Sequence, residues 1–147
     1  GTMVFGGAPP KAYRKFCQRK DGTRHGQYAR WHSNGQPREH AEYKDGKLHG
    51  KYFSWYKSGV IELEGEYAHG QKNGTFVTLG IEEDYNRGKL RRRLVDRVEY
   101  YYKNGKQHGR QITRLPNGQE LVEMWHDGRR VGARTCWDAS GYEVPCL

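Results

Sequence analysis

The chain has 147 residues and a formal net charge of +9, a length that fits one domain or one short repeat array. Hydrophobic residues make up only 34% and mean hydropathy is −1.11, which argues against a thick core, while 11 Tyr and 4 Trp are too many for a disordered chain. No apolar run approaches the roughly 18 residues of a membrane-spanning helix.

In chain order, Gly1-Thr2-Met3 reads as a cloning scar, and residues 1–18 form an unrepeated lead-in. From residue 19 onward a glycine grid of the form Gly-x3-Gly-x8-Gly repeats five times. Its first glycines are Gly22, Gly46, Gly70, Gly105 and Gly128, and its second are Gly26, Gly50, Gly74, Gly109 and Gly132. The third falls at Gly35, Gly59, Gly118 and Gly141, and the third copy has Glu83 there instead. Regular spacing of this length dictates a repeat architecture.

The second copy shows the unit. Asp45-Gly46 is a tight-turn signal, residues 51–57 read as an aromatic strand, and Ser58-Gly59 supplies a two-residue hairpin turn. Asn34-Gly35 and Asn117-Gly118 mark the same turn more clearly. Residues 60–67 return with period two, setting Ile61, Leu63 and Gly65 against Glu62, Glu64 and Glu66. Pairing around the turn places Tyr56 opposite Ile61, Trp55 opposite Glu62, Ser54 opposite Leu63 and Tyr52 opposite Gly65. The first copy repeats this with Tyr28 over Ala41. One face then carries Tyr28, Tyr43, Tyr52, Tyr56 and Tyr67, and the other Trp31, Phe53 and Trp55. The expected product is all-β: an elongated, single-layered antiparallel sheet of about five consecutive hairpins. A single layer cannot bury both faces, so these aromatic columns read either as half-buried packing or as a partner surface.

The third copy is stretched. A second turn signal at Asn86-Arg87-Gly88-Lys89 sits near the middle of the extra length, which predicts an extended hairpin over about residues 75–102, a β-finger. Pairing outward from Arg87-Gly88 sets Asp84 against Arg91, Glu83 against Arg92 and Glu82 against Arg93, each opposite-charge pair worth roughly 0.2–1 kcal/mol. The finger reads as a recognition arm tipped by Tyr85, Arg87, Lys89 and Leu90, or as an elongation that buries Ile81 and Leu94. Residues 87–114 hold ten Lys/Arg against two Asp/Glu. Such a block can attract anionic lipid, nucleic acid or acidic protein, or serve as a solvated face with internal ion pairs.

In the fourth and fifth copies Gln111 and Arg134 replace the strand aromatic. Around Ser140-Gly141, Thr135 faces Cys146 and Cys136 faces Pro145, so Cys136 and Cys146 are within bridging reach; a disulfide and two buried thiols both fit. Cys17 lies far from both. His25, His49 and His108 share one grid position, and copies roughly 10 Å apart cannot offer them to one ion. They read as hydrogen-bonding turn residues. No metal, cofactor-binding or catalytic motif is present, neither a nucleophile elbow nor a phosphate loop, so the reading is non-enzymatic.

These features resemble the bacterial variant of the MORN repeat, most clearly at residues 43–50 and 102–109. The resemblance covers residues 19 to about 144, the repeat domain being drawn over 19–147. It implies consecutive hairpins and a binding or scaffolding role toward proteins or membrane lipids, with an antitoxin or immunity role as one subtype. The lead-in before Cys17 resembles that of envelope-anchored bacterial relatives, which favours the cell envelope or periplasm over the cytoplasm. A protein partner is expected, with Tyr28, Trp31, Tyr52, Trp55 and Tyr56 on the sheet and Tyr85, Arg87, Lys89 and Arg92 on the finger as its contacts. The alternative is an anionic lipid surface meeting Arg91, Arg92, Arg93, Arg97, Lys103 and Arg110. Nucleic acid is the disfavoured partner.

Overall fold

The computed structural model describes residues 2–6, 14–86 and 89–146, with side chains over 14–80 and 95–146. Among these residues every regular element is a β-strand. The chain divides into two compact units, Gly1–Gly74 and Thr75–Leu147.

The first unit holds β1 (Thr2–Gly6), β2 (Arg14–Gln18), β3 (Arg24–Trp31), β4 (Pro37–Lys44), β5 (Lys47–Trp55), β6 (Ile61–Ala68) and β7 (Gln71–Lys72). The second is built from β8 (Gly74–Asn86), β9 (Lys89–Lys103), β10 (Lys106–Gln107), β11 (Gly109–Arg114), β12 (Glu120–His126), β13 (Arg129–Trp137) and β14 (Glu143–Val144). Within each unit, strands pair with their neighbours in sequence and run antiparallel, an open series of consecutive hairpins. Two of these strands, β1 and β2, lie in the lead-in and pair Val4 with Phe16.

The grid glycines do different jobs. Asp45 and Gly46 both have positive φ, 53° and 79°, between the facing residues Lys44 and Lys47; two left-handed residues in a row make the two-residue type I′ turn. The turn at Gly59 is of another kind. Gly59 N–H donates to the Tyr56 carbonyl and Tyr56 N–H to the Val60 carbonyl, both at 2.9 Å, while only Gly59 is left-handed. That is a three-residue type I loop closed by a glycine bulge. The Gly35, Gly118 and Gly141 turns make the same pair of bonds.

This corrects the expected two-residue turn and the register next to it. Trp55 faces Ile61, not Glu62, with a register shift between Ser54 and Trp55. Deeper in the hairpin the expected pairs Ser54–Leu63, Phe53–Glu64 and Tyr52–Gly65 are present. For the same reason Cys136 faces Val144 rather than Pro145.

Tyr28 lies across from Ala41, and Ala41 across from Tyr52, so large and small side chains alternate along one row. Ala41 is fully buried beneath them. Tyr28 meets Tyr43 edge-on at 5.9 Å and Tyr52 meets Tyr67 at 5.5 Å, contacts worth about 0.5–1.5 kcal/mol beyond area burial. In the second unit Phe76 and Val77 are both buried. Successive strand residues point to opposite faces, so the sheet is covered on both sides at that point.

Both strands of the stretched copy form: β8 and β9 are neighbours, reaching Asn86 and starting again at Lys89. The charge pairs Asp84–Arg91, Glu83–Arg92 and Glu82–Arg93, and the side chains of Ile81, Tyr85, Lys89, Leu90 and Leu94, lie outside the described residues, as does Arg87 itself.

Candidate interaction surface

In the first unit a groove of about 370 Å³ opens where two neighbouring three-residue turns lie side by side. Trp55, Tyr56 and Lys57 come from the end of β5 and its turn. Arg30 and His32 come from the end of β3, and Arg38 and Glu39 from the start of β4. The two turns are tied together: the His32 ring nitrogen Nε2 lies 2.7 Å from the Trp55 carbonyl and serves as donor to it, and Asn34 Nδ2 donates to the Lys57 carbonyl at 2.9 Å. Groove shape therefore depends on turn-to-turn bonds between adjacent copies.

The carboxylates beside the groove are engaged internally. Arg30 Nη2 lies 3.1 Å from Glu39 Oε2. The Tyr52 hydroxyl also donates to Glu39, and burial together with that carboxylate pushes its pKa above the usual phenol range. Ser54 Oγ donates to Glu62 Oε2 at 3.2 Å. By contrast, Arg30 Nε is buried without a partner, and among the described residues Arg38 and Lys57 enter no ion pair while both are exposed.

Of the expected contacts, the structure brings Tyr52, Trp55 and Tyr56 together in this groove. Tyr28 is buried, with the Arg24 guanidinium 5.3 Å from its ring and also over Phe16 and Tyr43. Trp31 ends β3, half-buried, and does not line the groove. The finger residues Tyr85, Arg87, Lys89 and Arg92 lie outside the described residues, and so do Arg91 and Arg93. Arg97 is paired with Glu99 at 2.8 Å, and Lys103 is six residues further along β9, roughly 20 Å away by strand rise. Arg110 lines a second groove, of about 450 Å³, with Arg114 and Trp137. Trp137 precedes Gly141 by the same four residues that separate Trp55 from Gly59, so the two grooves are repeat-related, but here Arg114 is ion-paired to Glu120. The polar wall formed by Arg30, His32, Arg38 and Lys57 was not anticipated. The signal for it was the grid itself, which sets the turn of one copy against the turn of the next.

In the second unit a polar cluster stands at the repeat positions of the tyrosines. The positions equivalent to Tyr28 and Tyr52 are Gln111 and Arg134. Between them Glu123, buried, accepts from Arg130 Nη1 at 3.0 Å and from Arg134 Nε and Nη2 at 2.9 and 2.8 Å. Burial alone would raise the Glu123 pKa, but hydrogen bonds from the two guanidiniums outweigh it and hold the carboxyl below its usual value. Nearby, Cys136 and Cys146 form a disulfide with Cα atoms 5.3 Å apart, and Cys17 is a free thiol.

The grid histidines sit between copies. His25 Nδ1 accepts the Asp45 N–H at 3.3 Å, His49 Nδ1 the His69 N–H at 3.3 Å, and His108 Nδ1 the Asp127 N–H at 3.4 Å. Among the described residues no cluster suited to a metal ion is found.

No curated protein matches the chain. A family described as MORN repeat variant matches residues 24–45 and 48–69. Each match starts two residues before a second grid glycine, Gly26 or Gly50, and ends at the left-handed residue of a type I′ turn, so each is one hairpin, β3–β4 and β5–β6. The chain thus carries two adjacent MORN-variant repeats, and the Trp55 groove lies between them.

Proposed function

We propose that this chain is a non-enzymatic interaction module that binds a protein partner through the Trp55 groove. The observation that carries the reading is the convergence of Tyr52, Trp55 and Tyr56 with uncommitted cations in one recess. Aromatic and Arg side chains concentrated in a cleft are the residue types that dominate binding energy at protein interfaces. MORN repeats commonly bind proteins or membrane lipids, which agrees with a module of this class. The β8–β9 hairpin, with Tyr85, Arg87, Lys89 and Arg92, is a separate contact in this proposal. An antitoxin or immunity role is one subtype, resting on the family resemblance.

Affinity capture from the source organism, comparing the native chain with Trp55→Ala, tests the reading. Loss of a specific protein with Trp55→Ala supports it, and equal recovery of that protein contradicts it. A lipid reading draws on the cationic block at residues 87–114. In that case anionic vesicles should bind the native chain at low salt and release it at high salt.

A further inference from the structure

We infer that the Trp55 groove is selective for an acidic peptide segment, an extended stretch in which carboxylate side chains alternate with apolar ones. The inference rests on the groove reading above and adds the chemistry of the occupant.

The carboxylates beside the groove are engaged within the chain. Glu39 is taken up by Arg30 and Tyr52, and Glu62 by Ser54. His32 is committed to the Trp55 carbonyl. Among the exposed groove residues, the charges left without an ion-pair partner are cationic: the Arg38 guanidinium and the Lys57 ammonium. A ligand that satisfies this set must bring acceptors, and a charged acceptor gains most, because hydrogen bonds between ionised groups are roughly twice as strong as neutral ones. A basic segment would be repelled, and a neutral polar one would offer only the weaker uncharged acceptors, which is how such a site discriminates.

The rings decide between a free anion and a peptide. Trp55 and Tyr56 are half-buried beside the cations, and inorganic phosphate would leave them uncovered. An extended chain places successive side chains on opposite sides, about 3.3 Å apart along its axis, so it can set carboxylates against Arg38 and Lys57 while an apolar side chain covers Trp55. The groove, at about 370 Å³, is at the small end of ligand clefts, a size for a short segment and not for a globular surface.

The test uses the full chain and fluorescence anisotropy with two labelled synthetic peptides. One alternates Glu with Leu and Phe, and the other carries Gln in place of every Glu. Saturable binding of the acidic peptide is expected, with the Gln peptide weaker by about tenfold or more, a difference of roughly 1.4 kcal/mol. Arg38→Ala combined with Lys57→Ala should remove that preference by weakening the acidic peptide to the level of the Gln peptide; both residues are exposed. Competition by inorganic phosphate, and binding to vesicles containing phosphatidylserine, provide the remaining arms. Equal affinity for the two peptides, no saturable binding of the acidic one, or a signal only with phosphate or vesicles would overturn the inference. The underlying groove reading fails separately: equal peptide affinities that Trp55→Ala abolishes leave the groove standing and remove only the acidic preference. Peptide binding that Trp55→Ala leaves intact removes the groove.

Discussion

The His49 imidazole accepts the backbone N–H of His69 at 3.3 Å, and the two rings pack with centroids 5.1 Å apart. His49 thus caps the left-handed turn of the next copy, and His25 and His108 do the same for Asp45 and Asp127. The turn amide at residue 69 cannot pair within its own two-residue turn, so the neighbouring copy supplies its acceptor. His49→Ala should lower stability by about 0.5–1.5 kcal/mol, the net worth of one hydrogen bond, read as a shift of the urea midpoint at unchanged slope. A midpoint equal to that of the native chain would show that the clasp contributes nothing.

Gly50 should be less replaceable than Gly35. Gly50 has φ 102°, and a Cβ built there would lie against the tip of the Glu42 side chain and 3.3 Å from its Cβ, so that side chain would have to shift. Gly35 has φ 83° with nothing within 4 Å of the added carbon. Gly35→Ala therefore carries only the left-handed backbone cost of about 1–2 kcal/mol, whereas Gly50→Ala adds a clash. Thermal melts of both variants should rank Gly50→Ala as the more damaging, and the reverse order would show that displacing Glu42 costs nothing.

Glu123 links stability to pH. Its pKa is lower in the fold than the ordinary carboxylate value of 4.5. A depressed acid contributes stability above its unfolded pKa and loses that contribution as pH falls through the folded value. Glu123→Gln should therefore be destabilised by about 1.5 kcal/mol near neutrality, the low end for hydrogen bonds to a charged group, since Arg130 and Arg134 lose their carboxylate but remain partly solvated. The gap between variant and native chain should close as pH falls below 4.5. A gap independent of pH would show that the carboxylate charge is not what Arg130 and Arg134 respond to.

Reduction should loosen the last hairpin. The Cys136–Cys146 bridge closes a sequence separation of 10, for which the loop-entropy relation gives about 2–3 kcal/mol. A dithiol reductant, or Cys146→Ser, should lower the melting temperature. An unchanged melt under reduction would mean the bridge constrains nothing.

Much of this was legible because glycine spacing sets turn spacing. The rows Tyr28–Ala41 and Tyr52–Gly65, the long β8–β9 hairpin, and a hydrogen-bonding role for His25, His49 and His108 could all be read from the grid, though not that their partners lie in the next copy. The register beside the turns could not, because the same dipeptide serves two geometries. At Asn34-Gly35 only the glycine is left-handed, and Asn34 Oδ1 instead accepts the Gln36 N–H at 3.1 Å. At Asn104-Gly105 both residues are left-handed. A side-chain acceptor can stabilise either arrangement, so the dipeptide alone does not count loop residues, and one extra residue moves Trp55 from Glu62 to Ile61. The groove escaped for a related reason: Arg38 and Lys57 come from different copies and meet only once two turns are set side by side.

The central claim is that Trp55 and the cations around it form a binding site, and an amide chemical-shift titration of the isotope-labelled full chain with the acidic peptide tests it most directly. The account predicts saturable shifts concentrated at His32, Arg38, Trp55, Tyr56 and Lys57, lost in Trp55→Ala. Shifts centred elsewhere on the chain, or a groove that stays silent at saturating peptide, would contradict it.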